Sequence, residues 1–206
     1  MKPILLFLLA GAVLSGCSAL PDKPVRPDVY DFGPGAVALA AVVPSLATIA
    51  LGEVEVGAAL DSSALQYRLA YADAQQLRPY AQARWSMPPA QLLRQRLREH
   101  LGQSRAVVSP GEGGLEAAAP LQLRVELQEF SQLFQSPTSS VGLVRLRASV
   151  VRPTGQGERL LAQRSFVVQR GAASHDAVGG VKALAQASDA AVAELEQWLQ
   201  QLPVTR

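Results

Sequence analysis

Cysteine and histidine are nearly absent from this chain of 206 residues, which contains one Cys and two His. A single cysteine cannot close a disulfide within the chain, so the fold must depend on its apolar core. His100 and His175 have no Cys, His or acidic spacing typical of a metal site. His175 lies in a Ser-His-Asp tripeptide, but a catalytic triad converges from separate elements. We expect no metal, no cofactor and no enzymatic activity.

Charged and aromatic residues are also sparse, at 17% and 5%, and the formal net charge is only +2. Nucleic-acid binding requires a concentrated basic face, so we expect no nucleic-acid partner. The glycines at Gly111, Gly113 and Gly114 precede a predicted strand rather than a helix, which argues against a phosphate-binding loop. The hydrophobic content of 49% is nevertheless enough for one folded domain.

No apolar run is long enough to cross a membrane. The longest, Ile4 to Val13, would rise only about 15 Å as a helix, against a bilayer core of about 30 Å. It follows Met1 and Lys2 and is followed by small residues, which is the pattern of a signal peptide. We therefore predict that residues 1–16 are a signal peptide.

The tetrapeptide Leu14-Ser15-Gly16-Cys17 resembles the lipobox of bacterial lipoproteins. The resemblance implies cleavage before Cys17 and attachment of diacylglycerol and a further acyl chain such as palmitate. Each buried methylene contributes about 0.8 kcal/mol, so two or three chains anchor a protein durably. Ser18 follows, and by resemblance to the sorting pattern of Gram-negative lipoproteins this favours the periplasmic face of the outer membrane. An ordinary secretory signal with an incidental Cys is the alternative.

Three regions are predicted along the chain: the signal peptide, a lipidated Cys and Pro-rich tether over residues 17–47, and one domain over residues 48–206. Pro21, Pro24, Pro27 and Pro34 make a helix in the tether unfavourable. Within it, the run Tyr30-Asp31-Phe32-Gly33 predicts either a loosely docked turn or a short edge strand.

Alternation of apolar and polar residues predicts the strands of this domain. We place a turn at Asp73–Leu77 and expect the last three long segments to form an antiparallel meander with one solvent-exposed face. The predicted strands are Thr48–Val56, Leu65–Tyr71, Tyr80–Trp85, Ala106–Val108, Leu121–Leu127, Val144–Val150 and Leu160–Val168.

Two helices are predicted, over Ala90–Leu101 and Val181–Leu202. For the first, we expect Ser86 to be the N-cap and the arginine-rich side, which includes Arg96, to be solvated. A surface for an anionic partner is the alternative for that side. For the second, we expect loose chain up to Gly180, with His175 as a capping residue. The predicted fold class is therefore α/β, with a mixed, largely antiparallel sheet and with a mid-chain and a long C-terminal helix packed on it.

An apolar group, Phe130, Leu133 and Phe134, precedes a polar tip at Ser136–Ser140. Two interpretations are open for it. It forms part of the core, or it forms an exposed apolar edge that contacts a partner or a second copy of the chain. The aromatic set Tyr67, Tyr71, Tyr80 and Trp85 carries the same two interpretations.

A Tyr-Arg strand, a later Arg-Trp pair, a Pro-containing turn and a Leu-rich helix follow one another in the chain. This order resembles the ABC-type transport auxiliary lipoproteins, and the matching residues are Tyr67, Arg68, Tyr80, Arg84, Trp85 and Pro88. The resemblance implies a non-catalytic α/β domain. It also implies partners, an ABC permease and ATPase and a substrate-binding protein of the mammalian-cell-entry type, which move phospholipids or other hydrophobic molecules between two membranes.

Two other functional classes are compatible with the residues. One is an assembly lipoprotein that supports an outer-membrane β-barrel or another envelope complex. The other is a lipoprotein enzyme such as a hydrolase, which would need His175 to be catalytic.

Overall fold

The computed structural model describes residues 26–35, 46–111 and 120–203. The predicted signal peptide, the lipobox Leu14-Ser15-Gly16-Cys17 and part of the predicted tether lie outside these residues. The strands are β1 Asp28–Tyr30, β2 Leu46–Val56, β3 Ala64–Leu69, β4 Asp73–Trp85, β5 Arg105–Val108, β6 Leu121–Ser136, β7 Ser139–Thr154 and β8 Gly157–Gly171, and the helices are α1 Pro89–Leu101 and α2 Ala177–Gln201.

Strand β6 lies at the centre of an eight-stranded sheet. On one side it pairs with β7, which pairs with β8. On the other side, β2 pairs with the first half of β6 and β3 with its last residues, so these two strands lie end to end. Strand β5 extends the sheet beyond β2, and β4 followed by β1 extends it beyond β3.

The predicted fold class, a mixed α/β domain with two helices, is confirmed. Among the described residues, four strand pairings are parallel and three are antiparallel. The two longest ladders, β6 with β7 and β7 with β8, are antiparallel, which confirms the predicted meander. The turn predicted at Asp73–Leu77 was wrong, because those residues belong to β4 and the chain reverses just before them.

The short edge strand was the correct alternative for Tyr30. Strand β1 pairs in parallel with the end of β4, with Tyr30 opposite Trp85. This part of the predicted tether therefore belongs to the sheet.

Helix α1 forms where leucines recur at helical spacing, and Leu93, Leu97 and Leu101 are fully buried. It begins immediately after Pro88, and Pro89 occupies its first turn. Backbone N–H groups in the first turn have no acceptor within the helix, so the N–H that proline lacks is not needed there. The prediction that Ser86 is the N-cap was wrong, because Pro88 holds that position and no side chain caps the helix.

Helix α2 begins at Ala177, four residues before the predicted start. Its N-cap is Asp176, whose Oδ1 accepts hydrogen bonds from the Gly179 N–H at 2.8 Å and from the Ser174 hydroxyl at 2.7 Å. These bonds, the Ser174 hydroxyl first, hold the pKa of the Asp176 carboxyl below its ordinary value. The capping role predicted for His175 was therefore wrong.

Both helices pack on one face of the sheet, and glycine allows α2 to approach closely. A Cβ atom at Gly180 would lie 2.1 Å from Oε1 of Gln132 on β6, so only glycine fits there without a shift. The sequence Gly179-Gly180 suggested loose chain, but in the structure it belongs to the closely packed start of the helix.

Of the two interpretations of the apolar group before the tip, the core interpretation applies to two of its members. Phe130 is 2% exposed and Phe134 is 8% exposed, whereas Leu133 is partly exposed. The reason is that β6 continues to Ser136, so alternate residues, Phe130 and Phe134 among them, stay on the face that the helices cover.

No helix in the described part of the chain is long and apolar enough to cross a membrane.

Candidate functional site

The chain enters the folded body through β1 and residues 31–35, which bend across helix α1. The Gly33 N–H donates to Oδ1 of Asp31 at 2.7 Å. Gly33 and Gly35 have φ angles of 73° and 66°, in the left-handed region that favours glycine. The local sequence therefore supplies the turn residues that this bend requires.

Three aromatic rings hold this segment to the sheet. Phe32 contacts Trp85 edge-on at 5.6 Å between ring centroids and stacks on Phe130 at 5.9 Å. Trp85 and Phe130 also contact each other at 5.6 Å. All three are buried. Residues that are far apart in sequence, on the entry segment, β4 and β6, thus form one apolar contact.

Arg96 of α1 completes the attachment and is buried, with a side chain only 10% exposed. Its Nη2 donates to the carbonyl oxygens of Phe32 and Gly33, at 2.7 and 3.3 Å. Its Nη1 lies 3.4 Å from Oδ1 of Asp189 on α2, and its Nε lies 3.8 Å from Oε2 of Glu99. The predicted solvated face was therefore wrong for this residue. We call Phe32, Trp85, Phe130 and Arg96 the N-terminal clamp.

A cleft of about 400 Å³ lies beside the clamp, between α1 and α2. Its lining combines polar and apolar residues, with one arginine and two carboxylates, and comprises Phe32, Pro34, Gly35, Arg96, Glu99, His100, Gln103, Asp189 and Val192.

Glu196 of α2 links the two helices at the end of this cleft. Its two carboxylate oxygens lie 2.6 Å from Nε2 of His100 and 2.6 Å from the hydroxyl of Ser104. In a hydrolytic triad the imidazole lies between the acid and the hydroxyl. Here the carboxylate lies between the other two groups, so the geometry is that of a structural bridge. Within the described residues, no group of three or more His, Cys, Asp or Glu is arranged to hold a metal ion.

A second aromatic group lies beyond the clamp, where β3 and β4 meet β6. Tyr67 contacts Tyr80 at 4.7 Å and Phe134 at 6.0 Å between centroids. The Tyr80 hydroxyl donates to Oε1 of Gln132 at 2.8 Å, and the Gln132 amide donates to the Ser140 hydroxyl at 2.9 Å. Burial, with smaller effects from Tyr67 and Asp176, raises the pKa of Tyr80 to about 12.

The opposite side of the same strands holds an ion pair. Arg68 contacts Glu129 through two nitrogens, at 3.3 and 3.1 Å, and Oε1 of Glu129 also accepts the Ser131 hydroxyl at 2.7 Å. Glu129 is 6% exposed, so this carboxylate is buried but fully paired. Tyr67 and Arg68 are neighbours in β3, so their side chains lie on opposite faces of the strand, and each makes contacts on its own face.

The sequence model of the ABC-type transport auxiliary lipoprotein component family matches residues 30–197. The chain belongs to this family. The matched range runs from the last residue of β1 into α2, so it includes the clamp, the whole of α1 and most of α2. No curated protein matches the chain.

Solved structures share the fold of this family member. Protein XCC0632 from Xanthomonas campestris is 21% identical, with a TM-score of 0.62, and the match covers 76% of this chain and 89% of that one. Protein CT253 from Chlamydia trachomatis, described as hypothetical, is 10% identical, with a TM-score of 0.51, and the match covers 75% of this chain and 95% of that one. At these identities the similarity shows the fold alone.

The structure divides the residues that carried the family resemblance into separate places. Tyr67, Arg68 and Tyr80 lie in the second aromatic group and its ion pair, whereas Trp85 lies in the clamp. Arg84 is exposed on β4. The motif therefore encodes two packed clusters rather than one site.

Sequence reasoning missed Arg96, Asp189 and Gln132 as organising residues. Arg96 was assigned to a solvated face because it alternates with other arginines, and its acceptors lie 64 and 93 positions away along the chain. The useful signal was Phe32-Gly33 in the entry segment, whose carbonyl oxygens need a donor once Phe32 is buried.

Proposed function

We propose that this family member is a non-catalytic, lipid-anchored periplasmic component of an ABC-type system that moves phospholipids or other hydrophobic molecules between two membranes. Cys17 would carry the acyl chains and hold the protein at the periplasmic face of the outer membrane. The partners would be the permease and ATPase of the transporter and a substrate-binding protein of the mammalian-cell-entry type.

The observation that supports this proposal most strongly is the match of the family model over residues 30–197. The match covers nearly the whole described fold, so the family's auxiliary role applies to this domain rather than to an added segment. ATP hydrolysis would belong to another polypeptide, because this sequence has no Walker motif.

The clamp supports the anchoring part of the proposal. A strand and a buried Phe–Trp–Phe contact fix the first described residues to the body, so force on the lipid anchor would reach the sheet directly. Residues 18–27 separate Cys17 from β1, and an extended chain of that length reaches about 35 Å. The body would therefore remain near its membrane, and the transporter's periplasmic part would have to extend to it.

Affinity capture of the lipidated protein from crosslinked cells, with mass spectrometry of bound proteins and lipids, tests the role. We expect to recover an ABC permease or a mammalian-cell-entry protein together with phospholipid. Recovery of a β-barrel protein alone would instead support the assembly-lipoprotein alternative. The matched control is Cys17→Ala, which cannot carry the acyl chains and should no longer recover these partners.

Separation of inner and outer membranes on a density gradient tests the location. We expect the wild-type protein in the outer-membrane fractions. Recovery in inner-membrane fractions would overturn the assignment to the outer membrane, but it would remain compatible with a lipid anchor at Cys17.

A further inference from the structure

Strand β8 is an open edge of the sheet. It extends over 15 residues, Gly157–Gly171, and among the described residues it pairs only with β7. Every second backbone N–H and C=O along it therefore points away from the protein. Its Val167 and Leu160, 59% and 57% exposed, are the two most exposed large apolar residues in the described part of the chain.

A row of arginines follows the same edge. Arg159, Arg164 and Arg170 are all exposed, and Arg152 of β7 lies directly opposite Arg159. No carboxylate of the described residues lies within 4.0 Å of these four side chains.

Two of these arginines make local or apolar contacts. The guanidinium of Arg164 lies 5.1 Å from the ring centre of Phe166, and Arg170 donates to the carbonyl oxygen of Gln169. The one acidic residue of β8, Glu158, is paired with Arg124 of β6. The positive charge of the edge is therefore not compensated along the strand itself.

The arginines and the exposed valine lie on opposite faces of the sheet. Arg164 pairs with Ala148 and Arg170 with Gly142, and both of these β7 residues are buried on the face that α2 covers. Val167 lies between Phe166 and Val168, which are buried on that face, so its own side chain points to the opposite one. The edge thus presents positive charge at positions 164 and 170 of one face and an apolar residue between them on the other.

We propose that β8 receives an extended acidic segment of a partner protein, which adds to the sheet as a further strand. Carboxylates of that segment lie opposite Arg164 and Arg170, and an apolar side chain lies opposite Val167. This pattern, an acidic residue at the first and last of seven positions and an apolar residue at the middle one, follows from the two-residue period of a strand.

Charge favours this occupant over a second copy of the chain. Strand β8 has three arginines and one glutamate, so two copies placed edge to edge would bring like charges together. Like charges opposite one another destabilise a strand pair, whereas opposite charges stabilise it. The same arginines therefore discourage self-pairing and select an acidic strand. The inference is independent of the proposed transport role, because it depends only on strand geometry and charge.

The test places a photocrosslinking amino acid at position 167 of the full-length protein in intact cells and maps the crosslinked segment by mass spectrometry. We expect one major adduct, with a segment of another protein that has acidic residues on alternate positions around the crosslink. The double change Arg164→Glu and Arg170→Glu should reduce the adduct about tenfold. The double change to Lys should retain most of it.

The matched control is Arg84→Glu, an exposed arginine of β4 on the other side of the central strand β6, and it should leave the adduct unchanged. If the Glu double variant has an altered circular dichroism spectrum, the double change to Gln replaces it, with a smaller reduction expected. An adduct with a second copy, with lipid or with a segment that lacks acidic residues would overturn the proposal. Absence of any adduct, or an adduct insensitive to charge reversal, would also overturn it.

Discussion

The arginines of helix α1 and those of strand β8 belong to one chain but have opposite surroundings. On α1, Arg94 contacts Glu53 and the Gly52 carbonyl, and Arg96 contacts Phe32 and Asp189. Along β8, no carboxylate of the described residues lies within ion-pair distance of Arg159, Arg164 or Arg170. The first group uses its donors to join elements of the fold, whereas the contacts of the second group are with residues of the same strand.

This difference separates residues that stabilise the protein from residues that are free to act on something else. A buried, fully bonded arginine contributes to stability because its removal leaves its acceptors unpaired. An exposed arginine without a partner contributes little to folding, so a row of them calls for another explanation. The two regions therefore predict opposite results when the same residue type is changed, and the predictions below follow from the largest expected effect to the smallest.

Phe32→Ala should have the largest effect, a loss of about 3 kcal/mol in the free energy of unfolding, because it removes a buried ring between Trp85 and Phe130. Urea unfolding measures it. Val29→Ala is the matched control, since Val29 is 53% exposed on β1 and should change stability by less than about 0.5 kcal/mol. Equal effects of the two changes would contradict the clamp.

Arg96→Met should cost about 2 kcal/mol, because the Phe32 carbonyl and Asp189 lose a charged donor. Chemical denaturation of this variant is compared with that of Arg94→Met. The Arg94–Glu53 pair is more exposed, with Glu53 75% accessible, so its loss should cost less than about 1 kcal/mol. A larger cost for Arg94→Met would show that the buried arginine is not the organising one.

Asp176→Ala should cost about 1 kcal/mol through loss of the N-cap of α2. The pKa of Asp176 is below its ordinary value in the folded state, so its contribution is present above pH about 4 and is lost as the pH falls through the folded-state value. Thermal unfolding at neutral and acid pH measures this. The difference between wild type and variant should shrink at acid pH, and a constant difference would contradict the pKa assignment.

Arg164→Gln should have the smallest effect, within about 0.5 kcal/mol of wild type, because Arg164 is exposed and makes only a contact with Phe166. Differential scanning calorimetry of the variant and the wild type measures the difference in stability. A loss comparable to that of Arg96→Met would mean that the β8 arginines have a structural role, and the contrast between the two regions would fail.

The meander and the two helices could be predicted from the sequence because their signals are local. Strands β6, β7 and β8 alternate apolar and polar residues over many positions, and the turns between them contain Pro or Gly. The leucines of α1 repeat at helical spacing. Each of these patterns lies within one element, so no knowledge of a distant partner is needed.

The parallel pairings could not be predicted in the same way. Strands β2 and β3 both pair with β6, and the register depends on contacts between residues about 70 positions apart, such as Leu51 with Leu123. The early start of α2 was missed for a related reason. Glycine weakens a helix locally, so Gly179 and Gly180 argued against a helix here. A side chain at position 180 would, however, collide with Gln132 of β6, and the local sequence does not reveal this contact.

The candidate site was the least predictable part. The aromatic residues of the motif pointed to important positions, but the sequence could not show that Trp85 packs on Phe32 while Tyr80 bonds to Gln132. The burial of Arg96 depends on Asp189 of the other helix, and no periodic pattern encodes a contact between two helices that far apart in the chain.

Amide hydrogen exchange tests the central contrast most directly, measured on the purified full-length protein and on the same protein in native membrane vesicles. We expect the amides of Trp85 and Ser86, which donate to the carbonyl oxygens of Ser63 and Tyr30, to be protected in both samples, because the clamp is part of the fold. The amides of β8 that point away from β7 should exchange fast in the purified protein and become protected in the vesicles, where a partner strand is present. Rapid exchange at the clamp, or β8 amides equally fast in both samples, would contradict the account.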